Sequence, residues 1–525
     1  MKDIFVSSAA AVHRQARVDG NSAALICENA DVSFTQLSER VRYLASILVN
    51  GGLEVGERVA YFGLNSALLI ETALAAAHAG AIFVPISSQL ASDEVVFQLN
   101  DASVRAVVVE EEYVTSIDAI VELIPVRHYV TEGSASPASS STIHSRWQRI
   151  SAVLTGALGD VCDESLHVYP EDIAMLFYTS GTTGRPKGVA LTHGNLWWNH
   201  LNVSAAIDVR PRATTLTVTP MCHIGGLGAF TLFTLVHGGT VVVRRHFDAE
   251  RCLHDLVAHR VARMFAVPAI YAALAHEEKW DQIDLSSLTT AVVAGAPVPS
   301  QLIRDYLHRG IRLQQAWGMT ETASFATYLP PQCVESTPES AGFPMPYTQI
   351  RIVDPQNGAV LTEPLVPGEI CVRGPHVTQS YWKSPRATER AIDGSGWLHS
   401  GDIGYLDSRG LLYVVDRIKD VIFVAGENVY PAEVERVLVE MPGVREAAVV
   451  GVPHEVWGET PVAFLCKVHD SRVDIQDLRE FAGLRLARFK LPTAVYCIDA
   501  LPRNVSGKVD KATLRSWVLE GAQTS

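Results

Sequence analysis

The sequence predicts an α/β protein: a large N-terminal, multi-subdomain region of layered β-sheets and helices, followed by a small C-terminal α+β domain. Three observations carry this expectation. Short apolar runs at 81–85, 106–109, 216–219 and 240–243 alternate with helix-spaced segments, the pattern of largely buried sheets between helices. The chain has 525 residues, too many for one ordinary core. Near residue 400 its character changes, and paired short strands lead into a polar junction and a compact α+β pattern.

In order along the chain, residues 35–50 place Leu37, Val41, Leu44, Ala45 and Leu48 on one helical face. Residues 59–64 read as a buried strand and 66–79 as the helix that follows it. The stretch TEGSASPASSSTIHS, 131–145, is of low complexity and is expected to be an exposed loop. Residues 402–416 read as two strands joined by a turn at 407–410. The next four residues, Arg417-Ile418-Lys419-Asp420, are polar between apolar strands and read as a linker. That places the domain boundary close to Lys419, giving 1–418 and 419–525. Beyond it a helix starts at Pro431 with Glu433 and Glu435 in its early turns, as proline at a helix start and acids near the positive end favour. Strands are expected at 444–452 and 461–468, a helix at 474–487, a strand near 494–498 and a last helix from about Asp510.

Composition narrows the partners. Hydrophobic residues make up 48% of the chain, which excludes wholesale disorder. Acidic residues outnumber basic ones, 57 to 43, for a formal charge of −14. Such a surface disfavours nucleic acid or an anionic membrane as main partner, so an anionic ligand needs a local cluster of donors. The eight cysteines, at 27, 162, 222, 252, 333, 371, 466 and 497, include no CxxC pair; they read as ordinary thiols of a reducing compartment, without a zinc site. The N-terminus lacks the basic region and apolar core of a signal peptide. The most apolar early stretch, 73–86, is too short to span a bilayer. A cytoplasmic protein is expected.

The strongest local signal is YTSGTTGRPKG, 178–188, which follows an apolar strand at 173–178 and precedes a short one at 189–191. Gly181, Gly184 and Gly188 let the backbone turn tightly and approach a ligand. Thr179, Ser180, Thr182 and Thr183 supply hydroxyls, the loop amides can form an anion nest, and Lys187 adds a mobile positive charge. The set suits a polyphosphate. It is not the P-loop pattern, which would continue into Gly-Lys-Ser/Thr and open a helix. Composition of this kind also makes plain surface turns; the added Arg-Pro-Lys-Gly and the flanking strands favour a functional loop.

This motif resembles the signature of the adenylate-forming superfamily of acyl-CoA synthetases, adenylation domains and beetle luciferases, most nearly an acyl-CoA synthetase. Further segments match in order: GAP at 295–297, WGMTE at 317–321, SGD at 400–402, DRIKD at 416–420, GENVYPAEVE at 426–435 and PRNVSGK at 502–508. They cover the chain from about residue 20 to its end. The resemblance implies a large adenylation region, a small mobile C-terminal lid, and two half-reactions. A carboxylate attacks the α-phosphate of ATP and releases pyrophosphate; a thiol then attacks the acyl-adenylate and releases AMP. Two anions meet in the first step, so cations and aligned donors matter more than a strong base.

The same resemblance assigns roles. The residues Thr179, Ser180, Gly181, Thr182, Thr183, Gly184 and Lys187 cradle the phosphates, and Lys508 bridges the carboxylate and α-phosphate. Thr320 contacts the α-phosphate, and Glu321 is the Mg²⁺ ligand, alongside phosphate oxygens and water. Asp402 accepts the ribose hydroxyls, and Arg417 contacts ribose or phosphate. Gly295, Ala296 and Pro297 form a wall beside adenine, with Ala316, Trp317, Gly318 and Met319 next to them. The family's usual tyrosine is replaced by Trp317, which has a larger face but no hydroxyl. Lys419 is the hinge about which the lid rotates, withdrawing Lys508 and bringing Gly426, Glu427 and Asn428 to the site.

For the acid, His223 resembles the histidine that borders the acyl pocket, and Gly225 and Gly226 are expected to leave room for the acyl group, with Gly295 and Gly318 nearby. No acidic residue lies in 220–230 to pair with an ammonium, which favours a fatty, aromatic or alicyclic acid over an amino acid. For the acceptor, Arg488, Phe489 and Lys490 sit where members of the family place residues near coenzyme A, and GVPHEVWGE, 451–459, resembles the CoA-ligase version of that segment. The expected cofactors are therefore ATP, Mg²⁺ and coenzyme A. An enzyme loading a carrier-protein phosphopantetheine would share every ATP residue. A non-catalytic nucleotide binder would be expected to lack Lys187, Glu321, Asp402 or Lys508, and all four are present.

Overall fold

A computed structural model describes residues 7–28, 31–132, 146–150, 168–179, 185–207, 210, 212–468, 475–503 and 508–520. Of the expected loop at 131–145, Thr131 and Glu132 instead end the strand His128–Glu132, and 133–145 lie outside the described residues. Contacts divide the chain into two compact units, 1–349 with 373–398, and 350–372 with 399–525.

The first unit holds two large mixed sheets. One has nine strands, with Ala23–Ile26, Val241–Val243, Thr215–Thr217, Arg263–Ala266, Thr290–Val293 and Leu313–Trp317 running parallel as successive neighbours. The other has eight, with a parallel series from Ile173–Thr179 through Ile82–Ser87, Arg58–Gly63, Val104–Val109 and His128–Glu132 to Trp147–Ile150. The short β-rich runs of Val, Ile, Leu and Phe suit strands covered on both faces. Between the sheets lie the helices Phe34–Asn50 and Ala67–His78, whose apolar residues share one cluster with strands of both sheets. The first is opened by a capping box: Ser33 Oγ accepts the Gln36 amide and Gln36 Oε1 accepts the Ser33 amide. The second is buried on every side from Leu68 to His78, which accounts for its almost unbroken apolar sequence.

One edge of the eight-stranded sheet changes direction. Ile173–Thr179 pairs antiparallel with Lys187–Thr192, with Thr179 opposite Lys187, and Ser380–Tyr381 adds an outer antiparallel strand. Thr192 then caps the helix His193–Ala206 through a reciprocal pair of bonds with Asn195.

The second unit contains two five-stranded sheets. The first runs Val360–Leu361, Gln349–Val353, Gly368–Arg373, Leu398–Leu406, Leu412–Arg417. The other is built on the long pair Val444–His454 and Gly458–Lys467, flanked by Ile422–Val424, Glu427–Val429 and Ala494–Cys497. Helices Pro431–Val439, Ile475–Gly483 and Lys511–Leu519 complete it, the last capped by Asp510. The expected helix at 474–487 is shorter: it stops at Gly483, and Arg488–Lys490 forms a separate 3₁₀ turn. Contacts divide the chain elsewhere than at Lys419, which lies inside the second unit on the 3₁₀ turn Ile418–Asp420. The strand Leu412–Arg417 groups with the C-terminal elements because it packs against the helix Pro431–Val439. No helix among the described residues is long and apolar enough to cross a membrane.

Gly342 is fixed by close approach. Its φ is +93°, and a Cβ there would lie 2.0 Å from the Tyr328 carbonyl carbon. Gly52 has a similar φ of +87° with nothing within 4 Å. In denaturant titrations Gly52→Ala is expected to cost about 1–2 kcal/mol, the backbone strain alone, whereas Gly342→Ala abolishes the folded state or costs at least twice as much.

Candidate active site

The hairpin that carries Thr179 and Lys187 is anchored at its base. Tyr178 OH donates to Asp101 Oδ2 at 2.7 Å, and Trp382 Nε1 donates to the Asp101 carbonyl at 3.2 Å. Thr179 and Lys187 face each other where the hairpin strands end. Ser180, Gly181, Thr182, Thr183 and Gly184 lie outside the described residues. The Lys187 ammonium stands 5.6 Å from the centre of the Tyr381 ring, within cation–π range.

Tyr381 also holds Glu321. Its hydroxyl donates to Glu321 Oε1 at 2.8 Å, and Thr378 N–H donates to the Glu321 carbonyl at 2.7 Å. Glu321 is only 5% exposed, so its charge needs such partners. Burial, reinforced by the neighbouring carboxylate, keeps the Tyr381 phenol protonated far above the ordinary tyrosine value. The turn Thr320–Thr322 that carries Glu321 is tight. A Cβ on Gly318 would lie 1.9 Å from the Ser324 carbonyl oxygen, and Ala323 and Ser324 both take positive φ. Ala316 and Trp317 are buried at the end of their strand, while Gly318, Met319 and Thr320 are half-buried.

Sheet topology gathers the other loops of this unit. Segments containing His223, Gly295–Pro297 and Gly318–Glu321 follow the C-terminal ends of the parallel strands Thr215–Thr217, Thr290–Val293 and Leu313–Trp317, the edge where open α/β sheets bind ligands. Gly295, Ala296 and Pro297 are exposed there, with Gly295 at φ +89°. Buried Asn65 fixes the His223 loop: its amide donates to the Thr219 and Arg244 carbonyls at 3.0 and 3.2 Å, and its oxygen accepts the Met221 amide at 2.7 Å. His223 precedes the helical turn Ile224–Gly228.

The expectation that Gly225 and Gly226 leave open room needs correction. A Cβ on Gly225 would lie 2.7 Å from the Phe265 ring, and one on Gly226 would lie 2.3 Å from the Pro220 carbonyl oxygen. Protein atoms already fill those spaces. Phe265 in turn meets Phe325, and Phe325 meets Phe230, each pair with ring centres 5.8 Å apart.

In the second unit Asp402 and Arg417 are paired across neighbouring strands, Arg417 Nε donating to Asp402 Oδ1 at 2.9 Å. Gly426 and Glu427 are exposed on the hairpin between Ile422–Val424 and Glu427–Val429, whose turn residues Ala425 and Gly426 both have positive φ, as a two-residue hairpin of this hand requires. Lys419 and Lys508 are exposed, and the residues 504–507 before Lys508 lie outside the described set. Lys490 is held by both oxygens of Glu433 at 2.7 Å, while Arg488 is exposed and Phe489 half-buried.

Two family patterns match the chain: AMP-binding enzyme over residues 12–382, and AMP-binding enzyme C-terminal domain over 433–508. The chain belongs to the AMP-binding enzyme family. It is an acid–thiol ligase, which activates a carboxylic acid as an acyl-adenylate and transfers it to coenzyme A. It is 38% identical to a feruloyl-CoA synthase of Amycolatopsis over 96% of this chain and 97% of that one. It is 35% identical to an indoleacetate–CoA ligase of Aromatoleum aromaticum, over 97% of each chain. Among solved structures, an o-succinylbenzoate CoA synthetase from Bacillus subtilis bound to its acyl-adenylate has a TM-score of 0.84 at 30% identity, covering 96% of this chain and 97% of that one.

In this family member, sequence reasoning missed Tyr381, Asn65, Asp101 and Asp416. Asp416 is 8% exposed. Its oxygens accept the Arg417 amide at 2.7 Å and the Ala432 amide at 2.6 Å, joining the end of a strand to the first turn of the helix Pro431–Val439. Burial pushes its carboxyl up from 3.8 to about 6, against the pull of Lys511 and the two amides, with Glu435 adding to the rise. Lys511 itself is paired with Glu435 at 2.7 Å. Despite its burial, Glu435 and then Asp416 hold its pKa above the ordinary lysine value.

Because the folded protein binds the Asp416 proton more tightly than the unfolded chain, this group's contribution falls as pH rises from about 4 to about 6 and is constant above about 7. Relative to Asp416→Asn, the wild type is expected to lose about 3 kcal/mol across that window in denaturant titrations. A wild-type-minus-variant difference flat from pH 4 to 7 would contradict this.

Proposed function

We propose that this ligase acts on an aromatic carboxylic acid, with the work divided among the residues named above. Lys187 and the loop before it hold the β- and γ-phosphates. Glu321 holds Mg²⁺ together with phosphate oxygens; a single buried carboxylate near a lysine-bearing loop suits an ion bound mainly through its substrate. The ion supplies charge neutralisation at the polyphosphate. Thr320 and Lys508 act at the α-phosphate, where Lys508 offsets the repulsion between the incoming carboxylate and the phosphate oxygens. Asp402 accepts the ribose hydroxyls, with Arg417 beside it, and Trp317 and the Gly295–Pro297 wall flank adenine. The carboxylate oxygen bonds to the α-phosphorus as pyrophosphate leaves; the CoA sulfur then bonds to the acyl carbon as AMP leaves. Rotation about Lys419 exchanges Lys508 for the Gly426–Glu427 loop between these steps.

The observation that carries the ATP assignment is the grouping of Lys187, Tyr381 and Glu321. It joins a phosphate-binding cation to a cation-binding carboxylate through one aromatic ring. The aromatic substrate is supported by the relatives' feruloyl, indoleacetate and succinylbenzoate substrates and by the Phe230, Phe265 and Phe325 cluster beside Gly225. The absence of acidic residues in 220–230 argues against an ammonium-bearing acid. The acidic surface, the cysteine usage and the lack of a spanning helix among the described residues favour the cytoplasm.

The test is a panel of aromatic, alicyclic and fatty acids with ATP and Mg²⁺, with and without CoA, read by mass spectrometry. Aromatic acids are expected to give AMP, pyrophosphate and the acyl-CoA, and Lys508→Ala to slow adenylation by about 10²-fold or more. Preference for fatty or alicyclic acids would overturn the substrate class. Acyl-adenylate without acyl-CoA would indicate a carrier protein as acceptor.

A further inference from the structure

Asp402 is presented by an irregular piece of strand. Within Leu398–Leu406 the register shifts between Ile403 and Gly404, and Gly401 takes φ +73°. A residue with such a φ does not continue a regular ladder. The Gly401 amide goes to a side chain instead: it donates to Glu369 Oε1 at 3.1 Å. The other Glu369 oxygen accepts from His399 Nδ1 at 2.7 Å. One carboxylate, 12% exposed, thus grips the chain on both sides of Ser400. Ser400 Oγ accepts the Asp402 amide at 3.0 Å, and Arg417 Nε donates to Asp402 Oδ1 at 2.9 Å. Cys371 Sγ also lies 3.5 Å from His399 Nδ1, and the three donor atoms stand within 4.8 Å of one another. With one carboxylate oxygen given to Gly401 and the other to His399, the group is built as a clamp on the turn, not as a vacant ion site.

We propose that Glu369 is a positioning residue for nucleotide binding: it fixes the His399-Ser400-Gly401 turn so that Asp402 meets the ribose hydroxyls. This rests on the reading of Asp402 as the ribose acceptor. Glu369 acts only through Asp402, so its loss should matter only when ribose hydroxyls are there to be read. Removing a charged acceptor from a backbone amide loosens that turn without touching the phosphate or acyl groups.

The experiment measures acid-dependent pyrophosphate–ATP exchange with ATP and with 2′,3′-dideoxy-ATP. It compares wild type, Glu369→Ala, Glu369→Gln, Asp402→Ala and the Glu369→Ala/Asp402→Ala double variant. Glu369→Ala is expected to raise KM for ATP about tenfold with kcat within about threefold of wild type. Glu369→Gln, which keeps an acceptor for Gly401, should restore most of the loss. The penalty should disappear with dideoxy-ATP, and the double variant should be no worse than Asp402→Ala alone. If the alanine variant does not fold, Glu369→Asp, one methylene shorter, takes its place. A Glu369 penalty equally large with dideoxy-ATP, additive with Asp402→Ala, or absent from KM would overturn the proposal. An Asp402→Ala penalty equally large with ATP and with dideoxy-ATP overturns the ribose reading itself and the proposal with it, a result separable from a failure of Glu369 alone.

Discussion

The hydrogen bond from Tyr381 to the buried Glu321 carboxylate is the contact on which the proposed catalytic arrangement in the first unit depends. A carboxylate with 5% exposure cannot keep its charge unless a donor meets it. The donor comes from a two-residue strand paired with the hairpin that carries Lys187. Displacing the hairpin would remove the phenol from Glu321, and displacing the Thr320–Thr322 turn would remove Glu321 from the phenol. Sheet pairing thereby couples Lys187, proposed to meet the phosphates, to Glu321, the proposed metal ligand.

That coupling answers the problem posed by composition. With a formal charge of −14 the protein as a whole repels ATP and a carboxylate alike. Attraction has to be local, and parallel-sheet topology makes it so: three loops leave neighbouring or nearby strands at one edge. Polar side chains then set those loops. Asn65 ties down the segment before His223 with two backbone bonds and links it to the Arg244 carbonyl with a third, and Asp101 anchors the base of the hairpin that carries Lys187. In the second unit Asp416 does the same between a strand and the helix after it.

Much of this was legible in the sequence where the signal was local. The helix Phe34–Asn50, the hairpin Ile173–Thr192, the turn between Leu406 and Leu412 and the order of elements after Pro431 all follow from periodicity, turn residues and caps. The residues proposed to carry the chemistry could be named because they lie in dense contiguous motifs. Tyr381, Asn65, Asp101 and Glu369 could not, because their partners are 60, 154, 77 and 32 positions away. Two adjacent strand residues, Ser380 and Tyr381, leave no periodicity to read. Gly225 and Gly226 were legible as glycines but not as to purpose: whether a missing side chain opens a pocket or admits a neighbour depends on Phe265 and Pro220, which only the fold brings near.

The most direct test of the Tyr381–Glu321 coupling is the Mg²⁺ dependence of acid-dependent pyrophosphate–ATP exchange in wild type, Tyr381→Phe, Glu321→Gln and the double variant. Both single variants should require more Mg²⁺ for half-maximal exchange, and the double variant should behave like Glu321→Gln alone, because the phenol acts through that carboxylate. A Tyr381→Phe enzyme with wild-type Mg²⁺ dependence, or one whose defect adds in full to that of Glu321→Gln, would contradict it.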